Sequence, residues 1–533
     1  MRKTTLILIT IIVLFGLVSY INVFHHQFLW DDEFLIQENI FIRSWKNLPQ
    51  MFSTCSGAGA GRLDNFYRPM QLLAYTGIYS LFGLQPWAFL SLNVLIHLIN
   101  ACLIFFLIKK LFKKDFLAFL TSILWVVHPV HTEVVTYMSG IADPLIVLFG
   151  LSSFLCYVNF KQKKQAYLLI FSLILFILAL LSKETIIIFP GLLIIYELFF
   201  SPVRDYKNTE EVREKQISNG VSKKDWKKYI HLSWFFIIAI SYFFLRLTAL
   251  NFVNSFNFYN TSNIYTEHLS VRIFTFLASL PKYYSFLFYP VNLHMERQFP
   301  VFTSIFSINV LSSLLILVLL GIVVYFNIKQ KKFHLSFGIF WFFIGFLPMT
   351  GIIPVNSFLL EHWLYLPSIG FFLCLAVIIQ YFWLKYPHIK KLIVIFLTII
   401  VFILMGLTLK RNIDWQNPIV FYNNILKYNE GTARVHNNLG MAYADKDDVI
   451  NAEKYYLKAI ETSDQYPQVH YNLARLYLEE KEQEKAIEHL EKSIEINPDF
   501  FFSYQLLGDI FKQQGEIEKA QEYYQKAKNI QYY

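Results

Sequence analysis

Residues 391–409 read KLIVIFLTIIVFILMGLTL, with no charged side chain after the opening lysine. About 20 apolar residues cross a bilayer as a helix. Twenty residues further on the chain changes character, becoming polar and repetitive from about residue 430. That boundary organises the whole sequence: apolar spans lie before it and a water-soluble array after it.

Upstream, similar runs recur near 5–24, 87–108, 115–128, 142–160, 166–182, 184–200, 231–249, 305–327, 333–349 and 366–384, so eleven spans are expected. The 533 residues are 55% hydrophobic and 18% aromatic but only 16% charged, a balance that excludes a soluble globular protein and indicates a polytopic membrane one. The segment 271–289 is also apolar; it reads as an interfacial or re-entrant helix interrupted at Pro281. The first run has a basic start and no small-residue cleavage site after it, so it reads as a retained helix.

The net charge of +9 resolves into short lysine clusters between spans. Arg2 and Lys3, Lys109 to Lys114, Lys161 to Lys164, the loop 201–230, Lys329 to Lys332 and Lys385 to Lys391 all fall on one side if the N-terminus is cytoplasmic. Basic residues placed this way orient a membrane protein and give no reason to expect nucleic acid. The four cysteines include three in apolar runs (Cys102, Cys156 and Cys374) and build no disulfide framework. An odd number of spans puts the C-terminal array on the extracytoplasmic face.

In that array Asn438-Leu439-Gly440, Asn472-Leu473-Ala474 and Leu506-Leu507-Gly508 return every 34 residues. Tyr443, Tyr477 and Phe511 keep the same register, as do Ala452, Ala486 and Ala520. The period and the small-residue positions resemble the tetratricopeptide repeat, a helical hairpin that stacks into a superhelix with a concave polypeptide-binding face. The expected fold is all-α. A membrane domain occupies 1–411, a linker 412–432, and three repeats about 433–466, 467–500 and 501–533.

Chemistry-bearing residues gather in the turns of one face. FLWDDEFL, residues 28–35, sets Asp31 and Asp32 side by side directly after the first span. Adjacent carboxylates repel, and a membrane boundary adds desolvation, so the pair is costly unless it is used. FYRPMQLL (66–73) holds Arg68, and HPVHTEVVTYMSGIADPL (128–145) holds His128, His131, Glu133 and Asp143. LSKETIIIFP (181–190) gives Lys183 and Glu184; LPMTGIIPVNSFLLEHWLYLPS (347–368) gives Glu361, His362 and Tyr365. The two histidines invite a metal, but Pro129 between them makes a poor chelate and no metal ligand is assigned. Carboxylates that accept a hydroxyl proton, with cations that neutralise a leaving phosphate, suit transfer from a lipid-linked phosphate. A transporter would carry its charges near the bilayer midplane, and a scaffold needs no acidic pair.

WDD, YRP, HPVHTE…SGIADPL, LSKET, LYLPS and the trailing repeats together resemble the transmembrane and tetratricopeptide-repeat O-mannosyltransferases, of the wider GT-C glycosyltransferase class. The resemblance implies a polyprenyl-phosphate sugar donor and transfer to a protein hydroxyl. It implies a catalytic base in the first outer loop, Asp31 or Asp32, with Asp31 preferred. It also makes Arg68 and Lys183, then Arg246, Lys282 and Arg297, the donor-phosphate contacts. His128, His131, Glu133, Asp143, Glu184, Glu361 and Tyr365 would shape the substrate pocket. A divalent metal is compatible with such a site. The repeats would hold the polypeptide acceptor or a partner protein, and the AT-rich-type composition favours a microbial plasma membrane over an endoplasmic reticulum. The competing readings are a transferase acting on a glycolipid or cell-wall polymer and a non-catalytic membrane scaffold.

Overall fold

A computed structural model of the chain describes residues 3–200, 229–252, 263–355 and 357–531. Arg2 and nearly all of the lysine-rich loop 201–230 lie outside the described residues. The fold is all-helical, 78% helix, and the described residues contain no strand. Two compact units are present: 1–293 with 299–413, and 294–298 with 414–533.

In the first unit seven helices are long and apolar enough to cross a membrane: Lys3–His25, Pro86–Phe112, Met138–Lys163, Ile230–Leu247, Ile308–Lys329, Ser368–Lys385 and Pro387–Ile413. An eighth crossing is counted if Asp115–Val126 and Pro129–Thr136, bent by 55°, form one span. These helices make the chain a multi-pass membrane protein. The other three of the eleven expected runs are helical but short. Ala166–Leu180 and Phe333–Met349 fall below spanning length, and 184–200 divides into a 3₁₀ turn, Glu184–Ile188, and the helix Phe189–Phe200. The bend in the 115–136 pair has a local cause. His128 is extended (φ −80°, ψ 130°) ahead of Pro129, as a residue preceding proline is driven to be.

The expected interruption at Pro281 does not occur, because Leu269–Phe288 is one continuous helix with the proline inside it. Proline orphans the carbonyl four residues earlier. Here that carbonyl belongs to Leu277 and accepts a hydrogen bond from Ser313 Oγ instead. Elsewhere in the unit, Phe333–Phe346 and Ser368–Lys385 meet backbone to backbone. A Cβ on Gly370 would stand 2.3 Å from the Gly338 carbonyl oxygen, so only glycines allow this approach. Leu315, Val318, Leu319 and Ile322 on Ile308–Lys329 stay exposed, the apolar surface that lipid covers.

The second unit is three helical hairpins, Ala433–Ala444 with Val449–Thr462, Pro467–Glu479 with Gln483–Ile496, and Phe501–Gln513 with Ile517–Gln531. The expected linker 412–432 is partly helical. It carries the helix Pro418–Leu426, whose Phe421, Tyr422 and Ile425 are buried, and the unit begins at Asp414. Residues 294–298 also belong here. His294 stacks on Tyr428 with ring centroids 4.6 Å apart, Asn429 donates to the Glu296 carbonyl at 2.8 Å, and Arg434 pairs with the Glu296 carboxylate.

Candidate functional site

The acidic pair divides its labour. Asp32 is buried, 1% exposed. Its Oδ2 accepts from Leu29 N at 2.9 Å, and its Oδ1 from Ser139 N at 2.8 Å and Ser139 Oγ at 2.6 Å. Burial dominates those three bonds and, with Asp31 alongside, pushes the carboxyl up to about 7. Asp31 keeps partial exposure, and its backbone N–H donates to Tyr137 Oη at 3.0 Å. Trp30, just before the pair, sits at φ 52°, a left-handed conformation that a bulky residue adopts only when its surroundings impose it.

The strap Tyr137-Met138-Ser139 that grips the pair is itself held at every carbonyl. Asn93 Nδ2 donates to Tyr137 O at 2.9 Å, Tyr75 Oη to Met138 O at 3.1 Å, and Gln71 Nε2 to Ser139 O at 3.0 Å. Gln71 and Tyr75 lie on the helix Pro69–Phe82, which follows Arg68 directly. Burial raises the Tyr75 hydroxyl, Asp32 raises it further, and Arg68 pulls it back. One helix thus carries both the clamp on the acidic pair and, at its N-terminus, the first candidate phosphate contact.

Arg68 lies over the Phe66 ring (4.4 Å) and 3.7 Å from Glu184 Oε1. Met70 N donates to Leu181 O at 3.2 Å, which ties the LSKET turn to the same place. Arg246 joins them, donating to the Asn65 and Leu250 carbonyls. Arg68 Nε, Asn65 Oδ1 and Glu184 Oε2 are buried with no hydrogen-bond partner among the described residues. Buried polar atoms in native proteins are nearly always satisfied, so three around one guanidinium without a described partner single this place out.

Other expected site residues are placed differently. Lys183 Nζ stands 2.8 Å from both carboxylate oxygens of Asp143 with both groups buried, so its charge is met inside the protein rather than held toward a phosphate. Lys282 is exposed on the helix Leu269–Phe288, and Arg297 belongs to the second unit. His128, His131 and Tyr365, expected to line a pocket, are buried in the interior. His131 is wholly buried against Trp125 (4.7 Å between ring centroids) and Tyr365 (5.1 Å). His128 is bonded to the Leu287 carbonyl, and Tyr365 Oη to His97 Nδ1. Glu133 binds His362, and Glu361 faces Arg411 at 3.5 Å. Among the described residues no group of three or more His, Cys, Asp or Glu is placed to hold a metal ion.

Sequence reasoning passed over Tyr137, Ser139, Gln71, Tyr75, Asn93 and Arg411. Tyr137 and Ser139 lie inside a motif already singled out, and Gln71 lies in FYRPMQLL. Arg411 carried a signal of its own, a basic residue ending the last apolar run on the expected outer face, where the charge rule predicts few.

Comparison with known proteins agrees with the sequence motifs. A family model described as dolichyl-phosphate-mannose-protein mannosyltransferase matches residues 68–211. Tetratricopeptide-repeat models match 431–499 and 489–522. Protein O-mannosyl-transferase F38B6.6 of Caenorhabditis elegans is 26% identical over 85% of this chain and 62% of its own length. Protein O-mannosyl-transferase TMTC3 of Homo sapiens is 25% identical over 85% of this chain and 51% of its own. The chain therefore spans about half to three-fifths of the length of these relatives. Among solved structures, the crystal structure of MamA aligns with 23% of this chain and 72% of that one, at 28% identity and a TM-score of 0.21. The likeness to the tetratricopeptide-repeat O-mannosyltransferases is thus established over most of the chain.

Proposed function

We propose that the chain is a membrane glycosyltransferase that moves mannose from a polyprenyl-phosphate donor to a hydroxyl of a polypeptide on the extracytoplasmic face. The observation that carries this is the shared helix Pro69–Phe82. It starts at Arg68, a guanidinium whose Nε has no partner among the described residues, and its Gln71 and Tyr75 hold the strap Met138-Ser139 beside the acidic pair that includes the partly exposed Asp31. Asp31 takes the acceptor proton as the hydroxyl oxygen bonds to C1 of the sugar. The C1–O bond to phosphate breaks with its electron pair going to the phosphate, whose growing charge Arg68 and Arg246 face. Asp32, buried and bonded to Leu29 and Ser139, holds the loop rather than taking the acceptor's proton. Lys183 and Asp143 set the orientation of the LSKET turn that carries Glu184.

The lysine clusters support a cytoplasmic N-terminus, and the concave face of the repeats is the proposed seat of the polypeptide acceptor. A microbial plasma membrane is the proposed location. Membranes holding the full chain are given radiolabelled polyprenyl-phosphate mannose, and label is followed separately into protein and lipid. Asp31→Asn is expected to lower transfer into protein about 100-fold or more; Asp32→Asn lowers it less. Equal labelling by wild type and Asp31→Asn would dismiss the reading.

A further inference from the structure

A second carboxylate-linked group is bound to the same stretch of chain. His362 lies in the 3₁₀ turn Glu361–Leu364. Its Nδ1 is 2.6 Å from Glu133 Oε1, and its backbone N–H donates to Glu133 Oε2 at 3.2 Å. Glu133 is buried, with a side chain 4% exposed, while that of His362 keeps 21%. A carboxylate on Nδ1 fixes the tautomer and leaves the Nε2 lone pair as the reactive edge. No described residue bonds Nε2. Behind the pair, the buried Arg411 guanidinium reaches Glu361 at 3.5 Å and acts electrostatically on Glu133 as well, which makes two buried carboxylates tolerable.

The position of this pair gives it a use. Glu133 lies on the helix Thr132–Thr136, and four residues on, at its end, Tyr137 accepts the Asp31 N–H. Asp31, through the Tyr137 hydroxyl, and His362, through Glu133, are therefore both tied to the segment 133–137. The transfer reading leaves a proton on Asp31 after each turnover, and the carboxylate must lose it before the next.

We infer that His362, held by Glu133, carries the acceptor's proton out of the site. The inference rests on the glycosyl-transfer reading. The proton passes from the Asp31 carboxyl to His362 Nε2, giving an imidazolium whose charge Glu133 matches, and then to water outside; no other bond changes. Glu133 is a positioning residue in this scheme.

The test uses the full chain in membranes, with radiolabelled polyprenyl-phosphate mannose at saturation and label counted in protein, beside Asp31→Asn. His362→Gly is expected to lower kcat about 100-fold, the usual worth of a proton-transferring side chain, with KM for the donor unchanged. Added imidazole restores at least about ten-fold of that loss, and a series of substituted imidazoles restores it in order of basicity. Wild-type rates in His362→Gly overturn the proposal. So does a loss that imidazole leaves untouched in protein with an unaltered unfolding midpoint. If His362→Gly misfolds, His362→Gln and Glu133→Gln decide. Glu133→Gln is expected to add nothing to the loss in His362→Gln, and additive losses overturn the proposal. Equal labelling by wild type and Asp31→Asn removes the transfer reading and this inference with it. An active wild type, an inactive Asp31→Asn and unaffected His362 variants remove the inference alone.

Discussion

Charge is handled in opposite ways by the two units. In the membrane unit three ion pairs are buried and matched within the protein: Lys183 with Asp143, Lys161 with Glu197 at 2.9 Å, and Arg411 with Glu361. The second of these also receives the Tyr157 hydroxyl at 2.7 Å. In the repeat unit the lysine–glutamate pairs sit on helix surfaces with side chains well exposed, as in Lys492–Glu495 and Lys526–Glu522. A buried partner cannot be replaced by water, whereas a surface partner can. The membrane unit therefore depends on specific long-range pairs, and the repeat unit on local periodic packing.

The largest break in this contrast is Asp143→Asn. It leaves the Lys183 ammonium buried without its counter-charge, and such a loss costs about 3–5 kcal/mol. The unfolding midpoint of the detergent-solubilised full chain is expected to fall steeply, and transfer activity with it. Replacing both partners, Lys183→Met with Asp143→Leu, recovers most of the stability because no charge is then stranded. A drop below about 1 kcal/mol for Asp143→Asn would place the pair with surface pairs and erase the contrast.

Asp32 sharpens it through pH. Burial raises its folded value from 3.8 to about 7, so between those values the folded protein holds a proton that the unfolded chain has released. This contribution to stability is present at low pH and is lost as pH rises toward 7. Going from pH 5 to pH 8 is expected to cost at most about 3 kcal/mol from this group. Asp32→Asn removes that slope. The comparison to make is the difference in unfolding midpoint between pH 5 and pH 8, wild type against variant. An unchanged difference would mean that the Ser139 and Leu29 hydrogen bonds outweigh burial.

The same contrast explains what could be read from the chain. The repeats were legible because a 34-residue period states its own packing: position 440, 474 and 508 is small wherever a hairpin closes. In the membrane unit the apolar runs and polar turns could be found, and WDD and YRP could be marked. Partners could not. Nothing within HPVHTE says that Glu133 meets His362, 229 residues away, or that His131 turns inward to Trp125 while Glu133 turns to a buried pair. Nor does LSKET reveal that Lys183 meets Asp143. Pro281 misled for the same reason, since the hydroxyl that takes its orphaned carbonyl lies on another helix.

Within the repeats a finer rule can be tested. Gly440 and Gly508 each face a tyrosine, Tyr456 and Tyr524, whose ring atoms would lie 2.6 Å from an added Cβ. At the equivalent place in the middle hairpin the residue is Ala474 and its counterpart is the smaller Leu490. Small and large are thus exchanged as a pair. Gly440→Ala is expected to destabilise the repeat unit by about 1–3 kcal/mol through overpacking. Tyr456→Leu added to it returns most of that loss by copying the middle hairpin. Denaturant unfolding of the full chain, followed by a probe in the repeats, measures both; independent, additive effects would show that the two positions do not share a contact.

The smallest effect completes the comparison. Lys526 and Glu522 are four residues apart on the last helix, 2.6 Å from each other, with side chains 49% and 61% exposed. Their attraction acts through water, is screened by salt, and requires two long side chains to be held still, so exposed pairs are worth about 0–1 kcal/mol. Lys526→Ala is therefore expected to shift the unfolding of the repeats by less than about 0.5 kcal/mol, with the shift shrinking further in high salt. Loss of the lysine's aliphatic stem over the Tyr523 ring, 5.3 Å from the ammonium, belongs to the same small figure. Asp143→Asn, by contrast, should keep its full effect in high salt, because counter-ions do not reach a buried lysine. A salt titration of the two variants side by side separates the two ways of holding charge: equal salt sensitivity would mean that the Lys183–Asp143 pair is reached by solvent and that burial does not set the strength of these pairs.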